Sequence, residues 1–287
     1  MSAITLAGEP LVAVRNLRVD FPSATGVTRA VRGVSFAIGR EKLGIVGESG
    51  SGKSVTGRAL MGLLPSSAKV SADVLRFGTT DILHASEWEM RRLRGGRIGL
   101  ILQDPKYSLN PVMTAGAQIA EALRAHARIG RREARDAAMS LLESVKIREP
   151  GRVADAYPHE LSGGMGQRVM IAMMLAPNPE LLIADEPTSA LDASVQAEIL
   201  RLIEELVDSR GMALMLISHD LPLVSRFCDR VAVMYAGQVM EELPAADLRH
   251  ATHAYTRGLL ECLPSLDHKR ERLPTLRRDP AWLAPRG

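Results

Sequence analysis

Two cysteines, Cys228 and Cys262, are all that 287 residues contain. They have no metal-type spacing, so the chain is expected to be a reduced protein with no disulfide framework and no Fe–S or zinc site. No run of about 18 apolar residues occurs, so no segment is expected to span a membrane, and any membrane role must come through docking onto another protein. The opening stretch "MSAITLAGEPLVAV" lacks the charged start and long apolar centre of a secretory signal. A formal net charge of +3 is mild and does not argue for nucleic acid, which needs a concentrated basic face. Internal repeats and low-complexity tracts are missing. What is present is a globular balance of 46% hydrophobic and 24% charged residues, enough for one large domain with appendages or two small ones.

Leu11 to Phe21 alternates apolar and polar, as does Thr28 to Ile38, with the turn cluster "PSATGV" between them. This predicts an antiparallel pair at the start. "KLGIVG" reads as a short buried strand ending in glycine, and "SVTGRALMGLLP" as a helix stopped by Pro65. "RIGLILQDP" is a further strand. From "VMTAGAQIAEALRAH" to "REARDAAMSLLESV" the period turns helical, which predicts an inserted helical segment of about fifty residues. "ELLIADEP" and "ALMLISHD" are short buried strands ending in acidic or polar residues, and "DRVAVMYAGQVMEEL" is a hairpin turning at Ala236 and Gly237. Strands alternating with helices predict a mostly parallel α/β core.

The stretch "GESGSGKS", Gly47 to Ser54, lies between a strand and a helix, the setting that distinguishes a phosphate-binding loop from a chance glycine-rich turn. In G-x-x-x-x-G-K-[ST] the glycines let backbone N–H groups converge on phosphate oxygens. Lys53 reaches the β- and γ-phosphates, the Ser54 hydroxyl ligates Mg²⁺, and the helix N-terminus adds positive potential. The binding segment is therefore Gly47, Glu48, Ser49, Gly50, Ser51, Gly52, Lys53, Ser54 and Val55. A magnesium–nucleotide site needs an acidic anchor at a strand end, and "LLIADE" supplies it. Asp185 is placed to hold Mg²⁺ through water. Glu186 is placed to orient or deprotonate a water attacking the γ-phosphate. An isolated Asp-Glu pair would be read as a solvated loop; beside a phosphate loop it is read as chemistry.

"LSGGMGQR" upstream of "LLIADEP", "SALD" after it, "ISHD" after the next strand and Gln103 closing "GLILQ" form an ordered set. It resembles the nucleotide-binding subunits of ATP-binding cassette (ABC) transporters over about Leu11 to Leu260. The resemblance implies an α/β fold: a P-loop NTPase (RecA-like) core with an N-terminal antiparallel β subdomain and an inserted α-helical subdomain. The nucleotide-binding domain would cover residues 1–260, its helical part about 106–165, with a short basic extension over 261–287. Ser162, Gly163 and Gly164 combine a hydroxyl, glycine N–H groups and a helix N-terminus, a second anion site in one chain. The resemblance implies that this signature, with Asp192, closes in trans on the ATP held by a second subunit docked head to tail. It also implies that Phe21 stacks on adenine, that Gln103 senses Mg²⁺ and γ-phosphate and couples to the membrane partner, and that His219 contacts the γ-phosphate. Gly166 stands where relatives often carry a larger side chain. With Lys53, Ser54, Gln103, Asp185, Glu186 and His219 all in place, a hydrolytic site using ATP and Mg²⁺ is expected.

"LQDPKYSLNPVMT", "YPHELSGGM" and "HAYTRGLL" look like the peptide- and nickel-importer group of ABC ATPases. That implies a second ATPase subunit, two membrane-spanning subunits, an extracytoplasmic solute-binding protein and a peripheral place on the cytoplasmic face of the inner membrane. It implies no nucleic-acid partner. The alternatives are a nickel or metal-chelate importer and a soluble, non-transport ABC ATPase. Many members add a cysteine-rich C-terminal segment for an Fe–S cluster; here only Cys262 comes after Tyr255, so no cluster is expected. The prolines and basic residues of the tail predict an extension with little core of its own, and Lys269, Arg270, Arg272, Arg277 and Arg278 could face anionic headgroups. The clusters Arg91, Arg92, Arg94, Arg97 and Arg128, Arg131, Arg132, Arg135 read as solvated helical faces.

Overall fold

A computed structural model describes residues 9–24, 26–104, 108–263, 276 and 278–283. The chain divides into two units, Met1–Ala85 with Leu216–Gly287, and Ser86–Met215. In the first, β1 (Val12–Ser23) pairs antiparallel with β2 (Gly26–Ile38). The alternation predicted for β1 is not regular, and its register against β2 shifts at three points. The register breaks between Val14 and Leu17, where Asn16 takes a left-handed φ of 51°, tolerated by asparagine's short polar side chain. The bulge keeps Val12, Val14, Leu17 and Val19 all buried although their spacing changes from two to three.

Next come β3 (Lys42–Val46), then α1 (Lys53–Leu60), which opens on the glycine-rich loop. The short strands β4 (Lys69–Ser71), β5 (Val74–Phe77) and β6 (Thr80–Asp81) complete an antiparallel sheet, in which β4 and β5 both pair with β1.

The second unit begins with α2 (Glu87–Leu93), capped reciprocally by Ser86 and Glu89. β7 (Ile98–Ile101) comes next, then the helices α3 (Ala115–His126), α4 (Arg131–Ser144), α5 (Pro150–Asp155) and α6 (Gly163–Leu175). β8 (Leu181–Asp185) runs parallel to β7 and is buried along its whole length, which its uninterrupted "LLIA" requires. α7 (Ala193–Arg210) leads into β9 (Ala213–Ser218), which carries the chain back to the first unit.

There α8 (Leu221–Phe227) precedes β10 (Arg230–Tyr235), parallel to β3, and β11 (Gln238–Pro244), antiparallel to β10. The hairpin turns through Ala236 and Gly237, both at positive φ (46° and 81°), as a tight two-residue turn demands. The last long element is α9 (Ala254–Glu261), with Tyr255 and Thr256 fully buried. Among the described residues no helix is long and apolar enough to cross a membrane.

Candidate functional site

The loop Gly47–Gly52 hangs between β3 and α1 and folds around one side chain. Lys53 is 6% exposed, and its Nζ donates to the carbonyls of Gly47 (2.8 Å) and Glu48 (2.9 Å). The ammonium thus holds the loop in a ring. Gly47 and Gly52 have positive φ (150° and 98°). A Cβ on Gly47 would lie 2.1 Å from the Met234 carbonyl, and one on Gly52 2.5 Å from that of Ala30, so no other residue fits. Thr56 Oγ1 donates to the Gly52 carbonyl at 2.9 Å and locks the first turn of α1. Ser54 and Val55 come next at the helix start, half-buried. Also in this unit, Phe21 is half-buried near the end of β1, paired with Thr28. His219 is exposed just after β9 and precedes Asp220, whose carboxylate caps α8 by accepting from Leu223 N at 2.9 Å.

The second unit holds the acidic pair. Asp185 ends β8 at 6% exposure, and Glu186 comes next at φ 49°, a left-handed conformation unusual for a carboxylic residue. The turn is tied down by three further side chains. The buried Gln167 amide donates to the Pro187 carbonyl at 2.6 Å, and Gln196 donates to the carbonyls of Thr188 (2.9 Å) and Leu191 (3.0 Å). Ser189 closes it through N and Oγ onto the Glu186 carbonyl. Gln103 lies exposed, two residues beyond the end of β7.

The signature and the segment after the acidic pair form adjoining helix starts. Ser162 Oγ accepts from Met165 N at 3.3 Å and caps α6. Asp192 Oδ1 accepts from Ser194 Oγ (2.6 Å) and Val195 N (3.1 Å) and caps α7. The hydroxyl bond and then the backbone bond hold the Asp192 carboxyl below the usual range. A Cβ on Gly164 would meet Val195 Cγ1 at 2.9 Å, which is why a glycine lets the two helices start side by side. Gly166 is buried, so a larger polar side chain here would have to displace packing.

A model of the ABC transporter family matches residues 31–189. The chain belongs to the ABC transporter family. A protein of Sinorhizobium fredii described as probable peptide ABC transporter ATP-binding protein y4tR is 50% identical over 93% of this chain and 81% of its own. The dipeptide transport ATP-binding protein DppD of Escherichia coli is 47% identical over 93% and 82% respectively. Among solved structures, the ATP-binding cassette MJ0796, a dimer in a post-hydrolysis state with ADP and Pi, superposes with a TM-score of 0.70 at 28% identity, covering 82% of this chain and 98% of that one. CbiO1 of Clostridium perfringens gives 0.72 at 26% identity, over 88% and 96%.

This ABC subunit is an ATP-hydrolysing P-loop cassette of the importer type. Arg91 and Arg94 reach Glu87 (3.7 and 2.9 Å), Arg97 pairs with Glu180 at 2.5 Å, and Arg92 lies over the Trp88 ring at 4.8 Å. These arginines are engaged within the chain. Of the basic residues of the tail, Arg278 pairs with Glu48 at 2.9 Å and stays largely exposed; Lys269, Arg270, Arg272 and Arg277 lie outside the described residues.

Proposed function

We propose that this subunit energises uptake of peptides, working with a second ATPase subunit, two membrane-spanning subunits and a solute-binding protein at the cytoplasmic face of the inner membrane. The observation that carries the solute class is the identity of 50% and 47%, nearly end to end, to subunits described as serving peptide and dipeptide transport. Residues 1–260 act as the nucleotide-binding domain, with a helical part over about 106–165.

In this reading the loop N–H groups and Lys53 hold the β- and γ-phosphates, and Phe21 stacks on adenine. Glu186 accepts the proton of the attacking water as its oxygen bonds to the γ-phosphorus and the β–γ bridging oxygen departs; Lys53 stabilises the charge left on the β-phosphate. His219 and Gln103 orient the γ-phosphate and the water. Ser54 and Gln103 offer hard oxygens, and the Asp185 carboxylate adds charge, a donor set that suits Mg²⁺, which supplies charge neutralisation when bound. Ser162, Gly163, Gly164 and Asp192 complete the site of the neighbouring subunit.

The test is the intact complex in proteoliposomes. Peptide-loaded binding protein should raise ATP hydrolysis several-fold over binding protein alone. Stimulation by nickel chelates and not by peptides would sink the peptide assignment.

A further inference from the structure

The phosphate loop of this chain contains a carboxylate. Glu48 stands directly after Gly47, and its carbonyl is one of the two that hold Lys53 Nζ. A negative side chain is an unfavourable neighbour for a polyphosphate. The described part of the C-terminal extension answers that charge. Arg278 Nη2 donates to Glu48 Oε1 at 2.9 Å, from a position 230 residues along the chain. Trp282 and Leu283, a few residues later, anchor the arginine. Trp282 packs edge-on to Tyr235 (5.9 Å, 89°) and Tyr255 (5.6 Å, 69°) and against His253 (6.1 Å). Arg32 Nη2 donates to the Leu283 carbonyl at 2.6 Å.

The anchor points are themselves tied to the loop. Glu48 N donates to the buried Tyr255 hydroxyl at 3.4 Å. Gly237 N donates to the Ser51 carbonyl at 3.0 Å, and the carbonyl of Gly237 accepts from Arg32 N at 2.7 Å. The extension therefore bears on the loop at Glu48 and, through the hairpin turn, at Ser51.

We propose that Arg278 is a positioning residue for the phosphate loop: the segment Arg278–Leu283 straps the loop from outside and neutralises Glu48, raising the loop's affinity for ATP. This rests on the reading of Gly47–Ser54 as the ATP cradle. The strap works through charge and geometry on Glu48 and touches no reacting atom. Because Arg278 is 64% and Glu48 29% exposed, its effect is screened by salt.

The experiment is a double-mutant cycle on the full chain, reading the Kd of a fluorescent ATP analogue at low and high salt. Arg278→Ala should weaken binding about three- to fivefold at low salt and less at high salt. Arg278→Lys, which keeps the charge, should stay within about twofold of the parent. In a Glu48→Gln background, Arg278→Ala should change Kd by less than about twofold, since the charge it answers is gone. An equal loss in the Glu48→Gln background, or no loss in either, would overturn the strap while leaving the cradle intact. Failure of the parent chain to bind the analogue, with Lys53→Ala no different, would overturn the cradle and the strap with it.

Discussion

Glu186 holds a left-handed backbone at φ 49°, which costs a residue with a Cβ on the order of 1–2 kcal/mol. Such a conformation persists where the surroundings over-determine it, and here the Gln167 and Gln196 amides and Ser189 do so. Asp185, one residue earlier, stays in the strand. Glu186→Gln keeps the shape and removes the proposed base. ATP turnover of the assembled complex, read as phosphate release, should fall about 10²- to 10⁴-fold while nucleotide binding is retained. Turnover at the parental rate would refute the assignment. Gln167 acts one step further back. Gln167→Leu leaves the buried Pro187 carbonyl without its donor, at a cost of about 1–3 kcal/mol. Turnover should drop more than ATP affinity, and an equal drop in both would mean that the amide supports the fold alone. The acidic pair is legible in the sequence because an apolar run ending in Asp-Glu is a local pattern. The clamp is not: Gln167 meets Pro187 across 20 residues, and a glutamine inside a helix carries no sign of its partner.

Elements show the same division. β8 and β9 read directly because strands buried on both faces need unbroken apolar runs. β1 reads as a plain alternation, yet its phase shifts at Asn16, since a bulge is a backbone event that residue polarity does not announce. The strands β4, β5 and β6 are two to four residues long and too short to carry a period. α2 has seven residues, and the Ser86–Glu89 spacing of a capping box was the signal available for it. At α6, cap and proposed ligand coincide in Ser162. Ser162→Ala should lower stability by about 1 kcal/mol, whereas Ser162→Asn should keep the cap. If the hydroxyl also meets the partner's ATP, Ser162→Asn should unfold at the parental temperature but hydrolyse ATP poorly in the complex. At the start of α9, Glu241 accepts from Thr252 N (2.7 Å), Thr252 Oγ1 (2.8 Å) and His253 N (3.2 Å). Burial pushes its carboxyl up, but these bonds outweigh burial and hold it below the ordinary range. The folded state thus favours the ionised form. The stabilisation is present above the unfolded pKa of about 4.3 and is lost as pH falls toward the depressed folded value. Thermal melts of the parent and Glu241→Gln should differ at neutral pH and converge in acid; a difference that persists at low pH would deny the linkage.

At the scale of the whole molecule, the proposed function gives the chain two anion-binding constructions, the phosphate loop before α1 in one unit and the Ser162-capped start of α6 in the other. A single hydrolytic site uses one γ-phosphate, so the second construction is accounted for when it serves another subunit. The superposing cassette MJ0796 is itself a dimer. The consequence is an asymmetry that mutation can expose when the complex contains two different ATPases. Lys53→Ala in this chain removes the ammonium that gathers the Gly47 and Glu48 carbonyls and that is proposed to meet the phosphates. It should cut the nucleotide bound per complex by about half, because the partner's loop is untouched. Replacing the signature serine in this chain should leave that occupancy near the parental value and depress hydrolysis at the partner's loop instead. Combining the two changes in one chain should impair both sites, whereas either change alone spares one. Nucleotide stoichiometry by filter binding and single-turnover hydrolysis on the purified complex distinguish these cases. Loss of all bound nucleotide in the Lys53→Ala complex would indicate two copies of this chain. Parental hydrolysis in a complex without the signature serine would show that α6 does not complete a neighbour's site.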